Sequence, residues 1–244
     1  PLICTPLAIV GAFDDKKSLP SIIRFIVQLL TIFLIVFLNI NNLVDISNFN
    51  ILLKISFYFL FILIGTSIIN FMNFMDGIDG IISINVIIYF FFIALIFDPN
   101  YYIFSSSLLA FLYFNWHPAR IFMGDVGSNF IGATFFISLF QAKNFFEFLA
   151  LILVFSPIFG DAFLSLLIRI ITRQNFFQPH KKHLYQRLVQ SGWSHSKVSF
   201  LYASATFFCA FAYFNFGFST LILTFITIMF IGLILNKNYA VPFK

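Results

Sequence analysis

Residues 70–80 read NFMNFMDGIDG, with Asn70, Asn73, Asp76 and Asp79 at every third position. On a helix, residues three apart are neighbours on one face, so the spacing predicts a polar stripe at a helix end. Two carboxylates that close repel unless a cation or proton lies between them, which suits metal-linked or acid–base chemistry. Asp-Gly pairs also make ordinary turns, and Gly77 and Gly80 permit either a turn or a close backbone approach. GAFDDKKSLPS offers a second pair, Asp14 and Asp15, able to bind a divalent cation, although Lys16 and Lys17 after them also fit a solvated charge run.

FNWHPARIFMGDVGSNFIG sets Asp125 between Gly124 and Gly127. A flexible loop of this kind can bring a carboxylate and free amide N–H groups to a metal and phosphate oxygens. It lacks the Lys and spacing of a nucleotide P-loop, and His117 beside Pro118 reads as an interfacial residue rather than a ligand. The longest polar stretch, RIITRQNFFQPHKKHLYQRLVQSGWSHSKVS, concentrates His180, Lys181, Lys182, His183 and Arg187. Such groups suit a diphosphate or a phospholipid headgroup. A zinc site on His180 and His183 would need further ligands.

The elements that must position these residues are apolar. The chain is 61% hydrophobic and 9% charged, with 40 Phe and a mean hydropathy of +0.99, whereas soluble domains carry about 25% charged residues. Apolar runs near 20–40, 50–69, 81–97, 101–115, 128–142, 146–168, 198–215 and 218–235 predict an all-α, polytopic transmembrane bundle of about eight full spans after a partial N-terminal one. The strict alternation of a β-barrel is missing. We read residues 1–244 as one membrane-embedded domain with a cytoplasmic basic, His-bearing loop at 169–197. PLICTPLAIVGAF reads as the end of a span already under way, so the chain is expected to continue upstream.

The intervening loops alternate between two sides. Every Lys and Arg except Lys54 and Lys143 falls on the side that holds loops 14–19, 70–80, 115–127 and 169–197. The positive-inside rule makes that side cytoplasmic. The net charge of +5 thus reflects orientation and anionic headgroups rather than nucleic acid. Cys4 and Cys209 lie far apart in apolar segments, which suggests packing rather than a disulfide or a zinc site. Carboxylates for a divalent cation and cations for phosphate at one membrane face point to phosphoryl chemistry between a water-soluble nucleotide and a lipid. A multi-span transporter or lipid-binding scaffold is the alternative; its carboxylates would be expected near the bilayer midplane.

AFDDKKSLP, NFMNFMDGIDGI, FNWHPARIFMGDVGSNFIG and PHKKHLYQRL occur in the order seen in the polyprenyl-phosphate N-acetylhexosamine-1-phosphate transferases, glycosyltransferase family 4, which the chain resembles over nearly its whole length. The resemblance implies a Mg²⁺- or Mn²⁺-dependent enzyme of the bacterial inner membrane with a cytoplasmic active site. It would transfer a sugar-1-phosphate from a UDP-N-acetyl sugar to undecaprenyl phosphate and release UMP. By motif, Asp125 would be the principal metal ligand, and Asp14 and Asp15 would assist the metal or deprotonate the lipid phosphate. Asp76 and Asp79, with Asn70 and Asn73, would border the nucleotide and reacting phosphates. Phe122 would face the uracil, and His180, His183 and Arg187 would bind diphosphate or sugar. HKKHLYQRL resembles the O-antigen initiating branch, which uses GlcNAc, FucNAc or QuiNAc. Membrane lipids are expected partners, and a homodimer is compatible with the resemblance.

Overall fold

A computed structural model describes residues 2–46, 49–174 and 181–243. Among these residues the secondary structure is entirely helical. The α-helices are α1 (Thr5–Lys16), α2 (Ser21–Leu43), α3 (Ile51–Met75), α4 (Ile81–Ile96), α5 (Tyr101–Asn115), α6 (Gly124–Ser138), α7 (Phe145–Val154), α8 (Ser156–Ile171), α9 (Leu184–Gln190), α10 (His195–Phe216) and α11 (Phe218–Asn238). They group into two compact units, one of Pro1–Asn73 with Met123–Leu151 and one of Phe74–Phe122 with Ile152–Lys244.

Each expected apolar run is helical, but length separates them. Helices α2, α3, α10 and α11 are long and apolar enough to cross a membrane, and α7 with α8 makes a fifth candidate if the broken pair counts as one span. Helices α4, α5 and α6 have 16, 15 and 15 residues, about 22–24 Å at 1.5 Å per residue, less than the ~30 Å of hydrocarbon. By length and composition alone, four or five of the helices are membrane-capable. The apolar run at 146–168 is two helices rather than one: it breaks at Phe155, and α8 restarts with Pro157 in its first turn. Proline lacks the N–H that a helix interior needs but fits a helix start.

In the first unit, α2 buries Gln28, Thr31, Ile32, Ile35, Val36, Ile40 and Leu43, the i, i+3, i+4, i+7 stripe of an amphipathic helix. Leu30, Phe33, Leu34, Phe37 and Leu38 point outward, the sidedness of a helix with one face in lipid. Glycines allow helices to approach closely. A Cβ on Gly11 of α1 would come within 2.6 Å of the Val126 backbone, and one on Gly132 of α6 within 2.9 Å of Ile69 Cα; small residues at such crossings are how membrane helices pack.

In the second unit, α4 is the central helix, packed on α5 and α10 with Val86, Tyr89, Phe90 and Ile93 buried. Polar bonds pin it. Thr206 donates to Asn85 Oδ1 at 2.6 Å and Ser83 donates to Asn115 Oδ1 at 2.7 Å, satisfying groups that lipid could not.

Candidate active site

Helix α1 runs further than the sequence suggests, placing Asp14 and Asp15 in its last turn rather than in a loop. The contact at Gly11 brings that turn onto the start of α6, where Asp125 occupies the first turn. Asp15 Oδ1 accepts the Asp125 backbone N–H at 3.2 Å. It thereby caps the positive end of the α6 dipole. Gly124 has φ +61°, and a Cβ there would sit 2.5 Å from Asp15 Oδ2. Glycine meets both the left-handed backbone and the space limit.

Around Asp125 the network is dense. Arg24 Nη1 donates to Asp14 Oδ2 at 2.7 Å and to Asp125 Oδ2 at 2.9 Å. Asn73 Nδ2 donates to Asp125 Oδ1 at 2.8 Å and lies 3.0 Å from Ser128 Oγ. Gln28 Nε2 contacts Asn129 Oδ1 at 3.3 Å, and Asn129 Nδ2 bonds the Asp125 carbonyl at 2.8 Å. Leu19 N–H fixes the other Asp14 oxygen at 2.6 Å. Of the three carboxylates, Asp14 and Asp125 share a single guanidinium, and Asp15 accepts the Asp125 amide. The donor set of hard oxygens and the surplus negative charge fit Mg²⁺ or Mn²⁺.

The four-residue stripe at 70–79 is corrected by where α3 ends. Asn70 and Asn73 lie on its last turns, but Asp76, Gly77, Ile78 and Asp79 lie beyond Met75 in a turn, so the three-residue helical spacing lapses. Asn73 reaches Asp125, whereas Asn70 Nδ2 bonds its own helix at the Thr66 carbonyl, 2.8 Å away.

In the second unit the turn 76–80 is held from several directions. Tyr185 Oη donates to the Phe74 carbonyl at 3.0 Å, and a Cβ on Gly77 would overlap that hydroxyl. Gly80, at φ +75°, rests against the Trp116 ring. Asp79 lies beside two histidines: His117 Nδ1 is 2.6 Å and His195 Nδ1 3.2 Å from its Oδ2, which also accepts the Ala119 N–H at 3.2 Å. Among the described residues, Asp79, His117 and His195 form a group able to hold a metal, with ligand atoms within 4.8 Å of one another. Burial acts to raise the Asp79 carboxyl. The His117 and Ala119 hydrogen bonds and the His195 charge outweigh it and hold the group below its ordinary value. His117, read from the sequence as an interfacial residue, thus also contacts the Asp79 carboxylate.

The basic loop contains α9, and its anchor is Asp161 of α8. Asp161 Oδ1 accepts Leu184 N–H at 2.7 Å and Ser165 Oγ–H at 3.2 Å, while Oδ2 accepts Tyr185 N–H at 3.0 Å and Tyr202 Oη–H at 2.7 Å. One buried carboxylate thus serves the first amides of α9. His183, 3% exposed, lies 3.9 Å from Asp161. Burial pushes its imidazole down, Asp161 opposes this, and Arg169 and Arg187 add to it. Arg187 is buried and donates to the carbonyls of Lys182 and Val241 at 3.0 and 2.9 Å and to Asn236. His183 and Arg187 are therefore packed supports of this loop. Phe122 is 74% exposed, Asp76 is half-buried, and His180 lies outside the described residues.

Sequence reasoning missed Arg24, Ser128, Asn129, His195, Asp161 and Tyr202. Only Asp161 carried a visible signal, an acid within an apolar run.

Fold and site define an all-helical, multi-pass membrane protein with a carboxylate cluster where two helix ends meet. The sequence model of glycosyl transferase family 4 matches residues 2–143, and the chain belongs to that family. Three bacterial relatives illustrate the similarity. A probable undecaprenyl-phosphate N-acetylglucosaminyl 1-phosphate transferase of Bacillus subtilis is 38% identical over 95 residues, 37% of this chain and 26% of the relative. A phospho-N-acetylmuramoyl-pentapeptide-transferase of Leptospira biflexa is 38% identical over 98 residues, 38% of this chain and 25% of the relative. A decaprenyl-phosphate N-acetylglucosaminephosphotransferase of Mycobacterium tuberculosis is 33% identical over 109 residues, 38% and 27% respectively. The matched stretch thus spans about a quarter of each relative's length.

Proposed function

We propose that this chain carries the reaction centre of a transferase that moves an N-acetylhexosamine-1-phosphate from a UDP-sugar to undecaprenyl phosphate. The reaction releases UMP and starts a lipid-linked glycan of the cell envelope, with O-antigen as the favoured product class. The observation that carries the reading is the junction of α1 and α6, where Asp14 and Asp125 share Arg24, Asn73 holds Asp125, and Asp15 accepts the Asp125 amide. Family membership and the relatives' names support the reaction class.

A Mg²⁺ or Mn²⁺ ion held by Asp125 with Asp14 and Asp15 would neutralise charge on the diphosphate of the donor. Asn73 orients the Asp125 carboxylate through its 2.8 Å bond, and Arg24 ties Asp14 to Asp125. Asp14 or Asp15 takes the proton of the lipid phosphate. A phosphate oxygen of the lipid then attacks the sugar-bearing phosphorus, and that phosphorus loses its bond to the bridging oxygen as UMP leaves. Positioning and charge stabilisation suffice for such a displacement. Asn70, Asp76 and Asp79 are proposed to border nucleotide and phosphates, and Phe122 to meet the uracil. His180, His183 and Arg187 form or support the sugar- and diphosphate-binding loop. The site faces the cytoplasm from the inner membrane, and the shorter helices complete a polytopic bundle.

Membranes containing the protein, supplied with Mg²⁺ and undecaprenyl phosphate, are expected to release UMP from one member of a panel of UDP-N-acetyl sugars. Asp125→Ala abolishes that release. Folded protein that releases UMP from none of them would move the assignment to a transporter or lipid-binding scaffold. UDP-sugar/UMP exchange without lipid acceptor would replace direct attack by a covalent aspartyl intermediate.

A further inference from the structure

Asp79, His117 and His195 come from three separate elements: the turn after α3, the loop between α5 and α6, and the first turn of α10. Their meeting is built by backbone bonds that do not involve the three side chains. Ser199 Oγ–H donates to the Asp79 carbonyl at 2.8 Å. Asn115 Nδ2 bonds the Ile121 carbonyl at 3.0 Å while its Oδ1 receives Ser83, closing the loop that carries His117. Ser194 Oγ accepts the Lys197 N–H at 3.3 Å and caps the helix that begins at His195.

The contacts converge on one atom. Asp79 Oδ2 meets His117 Nδ1, His195 Nδ1 and the Ala119 N–H, three contacts for an oxygen with two lone pairs. The Asp79 N–H also points at His195 Nδ1, 3.5 Å away. His195 Nδ1 is itself 3.2 Å from the carboxylate oxygen, so two imidazole nitrogens and an amide crowd one oxygen atom. A cation held among them would take one donor atom from each of the three residues, whose ligand atoms already lie within 4.8 Å of one another.

We propose that Asp79, His117 and His195 form a binding site for a divalent transition metal of the Zn²⁺ class, built from other residues than the carboxylate cluster at Asp125. Two imidazoles and one carboxylate select Zn²⁺, Co²⁺ or Fe²⁺ over Mg²⁺ and Ca²⁺, which take oxygen donors. Donors on one tetrahedral zinc at about 2.0–2.1 Å are about 3.3 Å apart. The His195–Asp79 separation of 3.2 Å meets this as it stands. The 2.6 Å His117–Asp79 pair must open by several tenths of an ångström, and His117, with its side chain 40% exposed, is free to turn. The exposure of both histidines leaves room for water as a further ligand. A bound metal would staple the turn 76–80 to the start of α10.

The test uses protein purified in detergent, stripped with chelator and titrated with Co²⁺. The expected result is one equivalent bound with the visible d–d absorption of a nitrogen-ligated site, displaced by Zn²⁺ and indifferent to excess Mg²⁺. His117→Ala and His195→Ala each weaken binding by at least the 10–100-fold that loss of even a ligand's hydrogen-bond partner costs. Asp125→Asn leaves it unchanged, which keeps this outcome separate from that of the transferase reading. Circular dichroism and melting temperature confirm that the variants fold. Failure of the stripped protein to bind Co²⁺ or Zn²⁺ would overturn the proposal, as would binding that survives both histidine substitutions.

Discussion

The carboxylates at the α1–α6 junction and the carboxylate of Asp161 are the same chemical group put to opposite uses. Asp161 is buried, and both its oxygens are filled by two amides and two hydroxyls, so nothing is left over for a ligand. Asp14, Asp15 and Asp125 stand half-open, bonded by one arginine and one asparagine side chain besides backbone amides. On the proposed function, incomplete saturation leaves the first group open to a ligand, whereas its completion makes Asp161 structural.

The comparison breaks most sharply at Asp125. Asp125→Asn keeps the shape and the Asn73 and Arg24 neighbours but removes the charge. Its UMP release should fall by more than about 100-fold while its melting temperature stays near that of the unaltered protein. Asp161→Ala should do the reverse. It strands the Leu184 and Tyr185 amides and the Tyr202 hydroxyl, each costing about 1–3 kcal/mol when left unsatisfied in a buried place. Thermal unfolding should report roughly 3 kcal/mol or more of lost stability, and limited proteolysis should cut more readily near α9.

Gly11→Ala sharpens the point by moving the cluster without touching its chemistry. Its Cβ would meet Val126 backbone at 2.6 Å, so α1 must shift off α6, at about 1–3 kcal/mol. Activity should drop further than that modest instability explains, read as a fall in kcat for UMP release at a temperature where the variant is folded.

The smallest effect is one of pH. Burial holds the folded His183 below its ordinary value, despite Asp161, with Arg169 and Arg187 contributing. The unfolded chain takes up that proton near pH ~6.5 and the folded chain only at lower pH. The stability from His183 is therefore fully present above about 6.5 and is lost as pH falls towards the folded value. His183→Gln should flatten the decline in melting temperature between pH ~7.5 and ~5.5.

Much of this was legible in the sequence. Apolar runs located the long helices because hydropathy reports burial in lipid, but α9 lies in the basic loop and α7 and α8 fall in one run; the DD and MGD motifs located the cluster at Asp125. Arg24 was hidden because a lone arginine beside a span reads as an orientation charge; only the approach at Gly11 shows it bonding Asp14 and Asp125. His117 and His195 lie far apart in the chain, so their meeting at Asp79 has no local spacing to betray it. The break at Phe155 was marked by Pro157, whose effect depends on where the new helix starts.

The most direct test of the central claim pairs UMP release with melting temperature for Asp125→Asn and Asp161→Asn. The first should lose activity and keep stability, and the second should lose stability and retain activity in proportion to its folded fraction. Full activity in Asp125→Asn, or a parallel loss of activity and stability in both variants, would contradict it.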